Sequence, residues 1–492
     1  LRIGAGSFTI DAQAGNDTIT VSGKSGAFTD VIDGGAGTDS LSISFSGVAS
    51  LGDFTSISFD SSTSSFKVVD PNGGTIQFSN IEKLSVGSFA YTRVLEVNNA
   101  QEQAFYSSAE KIVYMFNDGT TGANLAADLF ATSLSSGLPG LARTDNVTVV
   151  GSAGNDSMNL NVNRTSDFSG NFTLKMGAGN DTLNSARFQN SDSVDMGTGD
   201  DTVALIASVG ALGSLNLTKL DGGAGTDTLD FRNLSDSGLT LSLNTAGATN
   251  FENIIGTSQG ETITGDASAN KLEGAGGGDT ISGLGGNDVI TTTSGNDTIT
   301  GGTGDDTIST GAGNDSIDGG TGADTITSGS GSDTIIIRAG DGGKTLAGAD
   351  TITDFTDGTD LIGLDGLSSA NLTIAQGSGS NAKDTIISVT SSGEFLAVLQ
   401  NTTASSITAF DLTSTSTDAQ TLTGTSGNDA LVGGAGADTI SGLGGSDTIK
   451  AAGGNDTITV SGKSGAFTDV IDGGSGTDSL SISFSGVASL GD

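Results

Sequence analysis

Residues 295–337 read GNDTITGGTGDDTISTGAGNDSIDGGTGADTITSGSGSDTIII. Here and just upstream, an acidic residue recurs at every ninth position, and an aliphatic residue follows it two places later. The acidic positions are Asp279, Asp288, Asp297, Asp306, Asp315, Asp324 and Asp333, and the aliphatic ones are Ile281, Ile290, Ile299, Ile308, Ile317, Ile326 and Ile335. Glu261 and Asn270 extend the register towards the N-terminus with other residue types. The stretch is therefore a tandem repeat.

The same unit occurs elsewhere in the chain. A second run has its acidic residues, again nine apart, at Asp429, Asp438, Asp447 and Asp456. Isolated units carry Asp17, Asp39, Asp156, Asp181, Asp201, Asp227 and Asp478. Between Asp156 and Asp227 they follow one another at irregular intervals of 20–26 residues.

Each unit predicts one turn and one short strand. The glycines permit backbone conformations with positive φ, and Thr-Ile-Thr triplets suit a strand. Because side chains alternate along a strand, the aliphatic residue points inward and its Thr neighbours face outward. Two units then complete a coil of 18 residues that stacks on the next by parallel strand pairing. The expected fold is all-β, a parallel β-roll or β-solenoid.

Such stacking places the aspartates in two columns, one along each edge of the roll. Neighbouring carboxylates would lie about 4.8 Å apart and repel each other. Residues 251–345 contain 14 Asp and Glu but 3 Lys and Arg, so basic side chains cannot neutralise the columns. Bound cations would neutralise the two columns. All available donors are oxygens, and a flexible loop of many ligands favours Ca²⁺ over Mg²⁺.

The unit resembles the nonapeptide G-G-x-G-x-D-x-U-x of the RTX family, most closely over 274–337 and 424–459. The resemblance implies a calcium-bound parallel β-roll with several Ca²⁺ ions. It implies that the sixth-position aspartates given above are ligands, together with carbonyl groups of the turns. The matching turn glycines are Gly302, Gly304, Gly311, Gly313, Gly320 and Gly322.

Composition excludes several kinds of chemistry. The 492 residues include no His and no Cys, which removes His-dependent nucleophile systems, His-ligated zinc, disulfides and iron–sulfur clusters. With 18 Lys and Arg against 57 Asp and Glu, the net charge is −39. We therefore expect no nucleic-acid partner and no direct membrane insertion. Acidic pairs such as Asp305 and Asp306 occupy turn positions, where metal ligation is a better interpretation than acid–base catalysis.

A longer repeat encloses the short one. Residues 15–53 recur at 454–492, an offset of 439 residues, with Ala36 replaced by Ser475 as the one change. The simplest account is a recent tandem duplication, so that the chain holds one 439-residue period and the start of the next, as a segment of a larger protein. The alternative is two isolated copies of one module.

Five segments are predicted. Residues 1–53 end an RTX-type solenoid and are a copy of 440–492, and 54–250 form an irregular solenoid with scattered units. Within the latter, 94–136 form a helical or mixed excursion, because AEKIVYMF (109–116) and GANLAADLFATSL (122–134) are helix-like. Residues 251–345 are the regular roll, 346–420 a small β-rich cap, and 421–492 an RTX roll beginning the next period.

Three classes of function compete. The first is a structural protein of a bacterial surface layer, sheath or filament, secreted unfolded through a type I channel and folding on Ca²⁺ outside the cell. The second is the extender region of a giant RTX adhesin. The third is the non-catalytic tail of an RTX enzyme, and it is the weakest because the family's catalytic sites use His. We expect no enzyme activity in this chain. The expected partner is the protein itself, as a homopolymer, lattice or tandem array, with cell-surface polysaccharide as a further candidate.

Overall fold

The structure is a computed structural model. The structure describes residues 1–60, 63–95, 103–116, 124–125, 144–151, 153–159, 170–184, 192–206, 219–235, 237–414, 416–463 and 467–483. Two compact units are present. The first comprises Leu1–Asp236 and Leu243–Ile255, and the second comprises Ser237–Ser242 and Gly256–Asp492. Over the described ranges, regular structure consists of β-strands and short 3-10 turns.

The strands up to residue 255 are short, and most lie in the first unit. In chain order they are β1 Arg2–Ile3, β2 Thr9–Asp11, β3 Thr18–Ser22, β4 Thr29–Asp33, β5 Ser40–Ser44, β6 Ser56–Asp60, β7 Ser65–Val69, β8 Thr75–Ser79, β9 Lys83–Val86, β10 Phe89–Leu95, β11 Gln103–Ser107, β12 Ile112–Phe116, β13 Asn124–Leu125, β14 Val147–Val150, β15 Ser157–Asn159, β16 Phe172–Lys175, β17 Thr182–Asn184, β18 Ser193–Asp195, β19 Thr202–Ile206, β20 Leu220–Asp221, β21 Thr228–Asn233, β22 Thr240–Ser242 and β23 Asn253–Ile255. Short 3-10 turns lie at Leu51–Asp53 and Thr245–Gly247. Of these strands, β22 belongs to the second unit.

The first unit is built mainly from parallel ladders. One sheet has the order β1-β3-β5-β9-β10-β11-β12-β14-β16-β18-β20, a second has β2-β4-β8-β7-β6, and a third ladder runs β13-β15-β17-β19-β21-β23. The pairs β9/β10, β10/β11 and β11/β12 are antiparallel, as are β6/β7 and β7/β8. The remaining pairs of the three ladders are parallel, such as β3 with β5 and β17 with β19.

The second unit continues in chain order from Thr262. Its strands are β24 Thr262–Thr264, β25 Lys271–Gly276, β26 Thr280–Gly285, β27 Val289–Ser294, β28 Thr298–Thr303, β29 Thr307–Ser309, β30 Ser316–Thr321, β31 Thr325–Thr327, β32 Thr334–Arg338, β33 Asp350–Ile352, β34 Leu361–Asp365, β35 Leu372–Gln376, β36 Thr385–Val389, β37 Phe395–Leu399, β38 Leu412–Ser414, β39 Thr421–Thr423, β40 Ala430–Val432, β41 Thr439–Ser441, β42 Thr448–Lys450, β43 Thr457–Ser461, β44 Val470–Asp472 and β45 Ser479–Ser483. Its 3-10 turns are Leu346–Gly348, Ser369–Asn371, Gly379–Asn381 and Ala409–Asp411.

Alternate strands of the second unit form opposite walls of a roll, as the nine-residue unit predicts. One wall has the order β22-β24-β26-β28-β30-β32-β34-β38, and the other contains β25-β27-β29-β31-β33. On the first wall Ile281, Ile299 and Ile317 pair in one register. On the second, Ile290 pairs with Ile308. The predicted β-roll is therefore confirmed.

Antiparallel strands follow the regular roll. Strand β37 pairs in parallel with β33, and then β36 and β35 add to it in antiparallel order. Beyond them a second small roll has the walls β39-β41-β43-β45 and β40-β42-β44. Its core contains Leu422, Leu431, Ile440, Ile449 and Ile458.

Hydrophobic burial follows the predicted alternation. In the triplet Thr307-Ile308-Ser309 the Ile side chain is buried and the Thr faces solvent. Ile299 and Ile317, which pair on the facing wall, are also buried. Each buried Ile contributes about 1.5–3 kcal/mol relative to exposure, so the core is a thin file of small increments.

The first unit has a thicker, aromatic core. Phe66 lies at its centre, with ring centroids 4.9 Å from Phe59, 5.1 Å from Phe78 and 5.1 Å from Phe105. All four rings are buried. The antiparallel hairpins supply these residues, so this part of the chain depends less on the nine-residue unit.

The helix predicted at AEKIVYMF is wrong. Residues Ile112–Phe116 form strand β12, which pairs antiparallel with β11 and parallel with β14. Ile112, Val113 and Tyr114 are β-branched or aromatic, and pairing on both sides overrides the local helical pattern. Of the run GANLAADLFATSL, the structure describes Asn124–Leu125, which is a strand; the rest lies outside the described residues.

Candidate metal-binding turns

Glycine is required in the turns because each turn packs on the backbone of the coil before it. Gly302 and Gly304 have φ values of 122° and 128°, which L side chains rarely adopt. A Cβ atom on Gly304 would lie 1.9 Å from the carbonyl oxygen of Gly286. The same holds for Gly311, Gly313, Gly320 and Gly322, where a Cβ would lie 1.5–2.5 Å from a backbone oxygen.

The sixth-position aspartates form two hydrogen-bonded columns. In each, the backbone N–H of one Asp donates to Oδ1 of the Asp 18 residues later. One column runs Asp279 to Asp297 at 2.7 Å, Asp297 to Asp315 at 2.9 Å and Asp315 to Asp333 at 2.9 Å. The other runs Asn270 to Asp288 at 2.8 Å, Asp288 to Asp306 at 2.7 Å and Asp306 to Asp324 at 2.8 Å.

The second carboxylate oxygen of these residues is buried and has no hydrogen-bond partner within the described chain. This holds for Oδ2 of Asp279, Asp288, Asp297, Asp306, Asp315, Asp324 and Asp333. The residues themselves are 0–2% exposed. A buried carboxylate oxygen without a donor is costly, so each of these atoms needs either a proton or a cation.

A small space next to the first glycine of the unit receives this oxygen. A Cβ on Gly301 would lie 2.4 Å from Oδ2 of Asp306 and 2.4 Å from the carbonyl oxygen of Gly319 in the next coil. At Gly283 the corresponding distances are 2.2 Å to Asp288 and 2.5 Å to the Gly301 carbonyl. A carboxylate and a carbonyl therefore converge beside each of these glycines.

On the opposite edge Gly274 still stands beside Asp279, but hydroxyl side chains take this place from Asp297 onward. Thr292, Thr310 and Ser328 occupy the first position of the unit there, and all three are buried. The hydroxyl of Thr292 donates to the carbonyl of Thr310 at 2.7 Å, and that of Thr310 donates to the carbonyl of Ser328 at 2.7 Å. The two edges thus differ chemically, which the shared aspartate register did not indicate.

Fifth-position side chains make a second ladder that runs in the opposite direction. The side chain of Asn287 accepts from the N–H of Asp305 at 3.1 Å, and Asp305 accepts from the N–H of Ala323 at 2.9 Å. Asn296 and Asn314 do the same on the other edge. Position five therefore caps the next turn, whereas position six caps the preceding one. This structural role of the Asn-Asp pair could not be predicted from the repeat pattern alone.

In the first compact unit, the irregularly spaced nine-residue repeats also stack into one column. The N–H of Asp156 donates to Asp181 at 2.7 Å, Asp181 to Asp201 at 2.6 Å and Asp201 to Asp227 at 2.8 Å. Near the N-terminus, Asp17 donates to Asp39 at 2.8 Å. The Oδ2 atoms of Asp17, Asp39, Asp181, Asp201 and Asp227 again have no hydrogen-bond partner in the described chain.

Carboxylates that sequence analysis did not single out follow the columns. Oε2 of Glu82 accepts from Asp39, and Oε2 of Glu252 accepts from Asp227, both at 2.7 Å. In the second unit Asp350 accepts from Asp324, and Asp360 accepts from Asp333, both at 3.1 Å. The shared signal is an acidic residue just before an apolar strand, without the glycines.

The second run is less uniform. Asp438 donates to Asp456 at 2.7 Å, and Asp456 donates to Asp478 at 3.0 Å. The Oδ2 of Asp456 has no hydrogen-bond partner in the described chain. By contrast, Oδ2 of Asp429 accepts from the N–H of Thr425 at 2.6 Å, and Oδ2 of Asp438 accepts from that of Gly434 at 2.8 Å.

Burial raises the pKa of the carboxyls of Asp279, Asp288, Asp297 and Asp306, and the N–H bond that each accepts from the preceding coil offsets this in part. The pKa is raised to about 7 at Asp279 and Asp306. It is raised to about 8 at Asp181 and about 6 at Asp227, where neighbouring carboxylates add to the effect of burial. These groups would lose a proton when a cation binds beside them.

The donor set fits a hard cation. It consists of aspartate Oδ2 atoms and turn carbonyls, and oxygen ligands of this kind suit Ca²⁺. Within the described residues no three acidic side chains converge to form a metal-binding group. Asp288, Asp306 and Asp324, each beside a first-position glycine, would hold the ion on one edge with main-chain carbonyls. On binding, the ion would supply positive charge to the acidic turns.

A comparison with known protein families also indicates calcium-binding repeats. The model of the RTX calcium-binding nonapeptide repeat, described in four copies, matches residues 25–42, 423–458 and 464–481 and a set of overlapping windows from 255 to 342. These segments make up about a third of the chain. None of the curated proteins matches it. The resemblance to the RTX family is confirmed: the chain carries RTX repeats, a calcium-binding motif in a non-catalytic solenoid arrangement.

Proposed function

We propose that this protein is a structural component of a bacterial surface layer, sheath or filament, whose solenoid is set by Ca²⁺. The observation that carries the proposal is the row of buried Oδ2 atoms without hydrogen-bond partners in the described residues. Aspartates placed in this way need a cation when they are ionised, and their repetition along the roll gives a mechanical element rather than one binding site. The ligands proposed are the aspartates and turn glycines predicted from the motif, except Asp447, whose Oδ2 accepts from Lys463.

Calcium would act here as the folding switch. Without the ion, the columns hold negatively charged carboxylates close together at an edge that is shielded from water. Burial of one row of Ile side chains is then the main term that opposes their repulsion. Binding free energy then becomes folding free energy, as in other small metal-dependent folds. A chain of this kind would stay unfolded at low calcium and fold outside the cell.

Secretion fits this switch. Proteins with RTX repeats are typically secreted. None of the helices in the described parts of the chain is long and apolar enough to cross a membrane. We propose an extracellular location on the bacterial surface after type I secretion, with the ion gradient driving folding.

The partner proposed is another copy of the same protein. Residues 15–53 and 454–492 are near-identical, which is typical of proteins built as long arrays of one period. Cell-surface polysaccharide is a second candidate partner, and the acidic surface would need calcium to bridge to an acidic polymer.

An adhesin extender is the alternative function, and self-association distinguishes the two. The full chain would be purified in chelator, transferred into calcium and examined by light scattering and negative-stain electron microscopy. Sheets or filaments that form in calcium and dissolve in chelator are expected. A protein that stays monomeric and extended in calcium at all concentrations would contradict the surface-layer proposal and favour the extender.

A further inference from the structure

The turn before β44 departs from the nine-residue unit. Residues 461–469 read SGKSGAFTD, and Asp447 and Asp469 are 22 residues apart rather than 18. The N–H of Asp447 nevertheless donates to Oδ1 of Asp469 at 2.8 Å, as in the regular columns. The longer turn therefore preserves the stacking and inserts a basic residue, Lys463, into it.

Lys463 is held by oxygens of the same types that the other turns offer to a cation. Its Nζ atom lies 2.5 Å from Oδ2 of Asp447, 2.9 Å from Oδ1 of Asp469 and 2.9 Å from the carbonyl oxygen of Gly445. The side chains of Lys463 and Asp447 are 0% exposed. Three oxygens match the three donors of an ammonium group.

The first unit repeats the arrangement at Lys24. Its Nζ lies 2.9 Å from Oδ1 and 2.8 Å from Oδ2 of Asp30, and 2.7 Å from the carbonyl oxygen of Gly6. Here Phe8 stands at the place of Asp447, and Lys24 Nζ lies 4.8 Å from its ring centroid. Both copies of the SGKSGAFTD segment therefore bury their lysine against an aspartate and a turn carbonyl.

We propose that Lys463 is a built-in replacement for calcium, its ammonium group filling the cation place between the turns of Asp447 and Asp469. Lys24 does the same between the turns of Gly6 and Asp30. In these coils the position-six carboxylate is neutralised by the chain itself. The two coils therefore fold without an ion at that edge, whereas the regular roll over 271–335 requires one.

The copies differ in what removal of the lysine would leave. Without the ammonium, the turn of Lys463 would present two carboxylates, Asp447 and Asp469, and one carbonyl, a set that suits Ca²⁺. The turn of Lys24 would present one carboxylate, because Phe8 replaces the second. Lys463→Met should therefore create a calcium site, and Lys24→Met should not.

The inference rests on the proposed calcium-dependent fold, and hydrogen exchange on the full chain separates the two. In chelator, β42 and β44 of the wild type should exchange at least about tenfold more slowly than β28 and β29. If all four strands stay protected, the proposal that folding depends on calcium is contradicted. If all four lose protection together, the switch stands and the lysine proposal is overturned.

Substitution makes the test specific. Lys463→Met should lose the protection of β42 and β44 in chelator by about tenfold or more and regain it in calcium, with one additional ion by native mass spectrometry. Lys24→Met should lose protection of β2 and β4 without gaining an ion. Lys383→Met, at an exposed lysine, is the control and should change neither measurement. No added ion in Lys463→Met, or protection kept in chelator, would overturn the proposal. Should Lys463→Met fail to fold, the wild-type exchange pattern still decides.

Discussion

The backbone N–H of Asp288 donates to Oδ1 of Asp306, 2.7 Å away and 18 residues later in the chain. This bond consumes one carboxylate oxygen of Asp306 and orients the other towards the first glycine of its own turn. The bond thereby makes each aspartate both a structural cap and a ligand. Its repetition links the nine-residue period of the sequence to the calcium dependence of the fold.

The first prediction concerns the ligand oxygen. Asp306→Asn keeps a side-chain oxygen that accepts from the N–H of Asp288. It removes the negative charge and puts an amide nitrogen in the place of Oδ2. We expect the calcium midpoint of folding to rise by about tenfold, equivalent to about 1.4 kcal/mol. Thr307→Ala, at the neighbouring exposed residue, is the control. Calcium titration followed by circular dichroism measures both, and equal midpoints would count against Asp306 as a ligand.

The second prediction concerns the difference between the two edges. Gly301→Ala places a methyl group 2.4 Å from both Oδ2 of Asp306 and the carbonyl of Gly319, so it should abolish calcium binding at that turn. Thr310→Ala on the other edge removes a hydroxyl bond and should lower stability by about 1 kcal/mol with calcium stoichiometry unchanged. Isothermal titration calorimetry measures the number of calcium ions that each variant binds. The same number in the two variants would show that the edges are equivalent.

The third prediction concerns pH in the absence of calcium. The carboxyls of Asp279 and Asp306 have their pKa raised to about 7 in the folded state. Because a raised carboxyl pKa favours the protonated folded form, the calcium-free fold should be most stable below about pH 4, where these carboxyls are protonated in both states, and should lose stability as the pH rises from there through about 7.

Calcium binding should follow the opposite trend. The ion competes with these protons, so its apparent affinity should increase over the same pH range. Thermal melts in chelator and titrations in calcium, both run as pH series, test the two halves. Melting temperatures in chelator that climb with pH would contradict the burial of these groups as acids.

The fourth prediction isolates the core from the ion. Ile308 is buried and pairs with Ile290 and Ile326 on adjacent coils. Ile308→Ala should lower the free energy of unfolding by about 2–5 kcal/mol in saturating calcium, and Ile308→Val by about 0.5–1.5 kcal/mol. Chemical denaturation measures this. If the lost stability were recovered at a higher calcium concentration, the Ile308 side chain would contribute by supporting calcium binding instead.

Much of the fold follows from the sequence, because its period and its pattern of exposure are local properties. The inward Ile308, the outward Thr307 and the columns from Asp279 to Asp333 were all predicted. The column residues Glu82, Glu252 and Asp350 were not, since they lack the glycine turn that marks the unit. They join the columns because strand pairing places them in register.

Burial depends on neighbours that local sequence does not encode. Leu41 in strand β5 is 1% exposed, because β5 lies between β3 and β9. The covering strand β9 begins at Lys83, outside the repeated segment 15–53 that carries Leu41. The lysine in SGKSGAFTD was likewise not identified as a cation substitute, because its other oxygen partners, Gly6 for Lys24 and Gly445 and Asp447 for Lys463, lie on the preceding coil.

Circular dichroism of the full chain with and without chelator tests the calcium-dependent fold most directly. If the buried Oδ2 atoms of the columns require Ca²⁺ once they are ionised, most of the β signal should disappear in chelator above about pH 7. It should return when calcium is restored, and far less when magnesium is supplied at the same concentration. Strand content that is unchanged in chelator would contradict the account, because the roll would then stand without the ion.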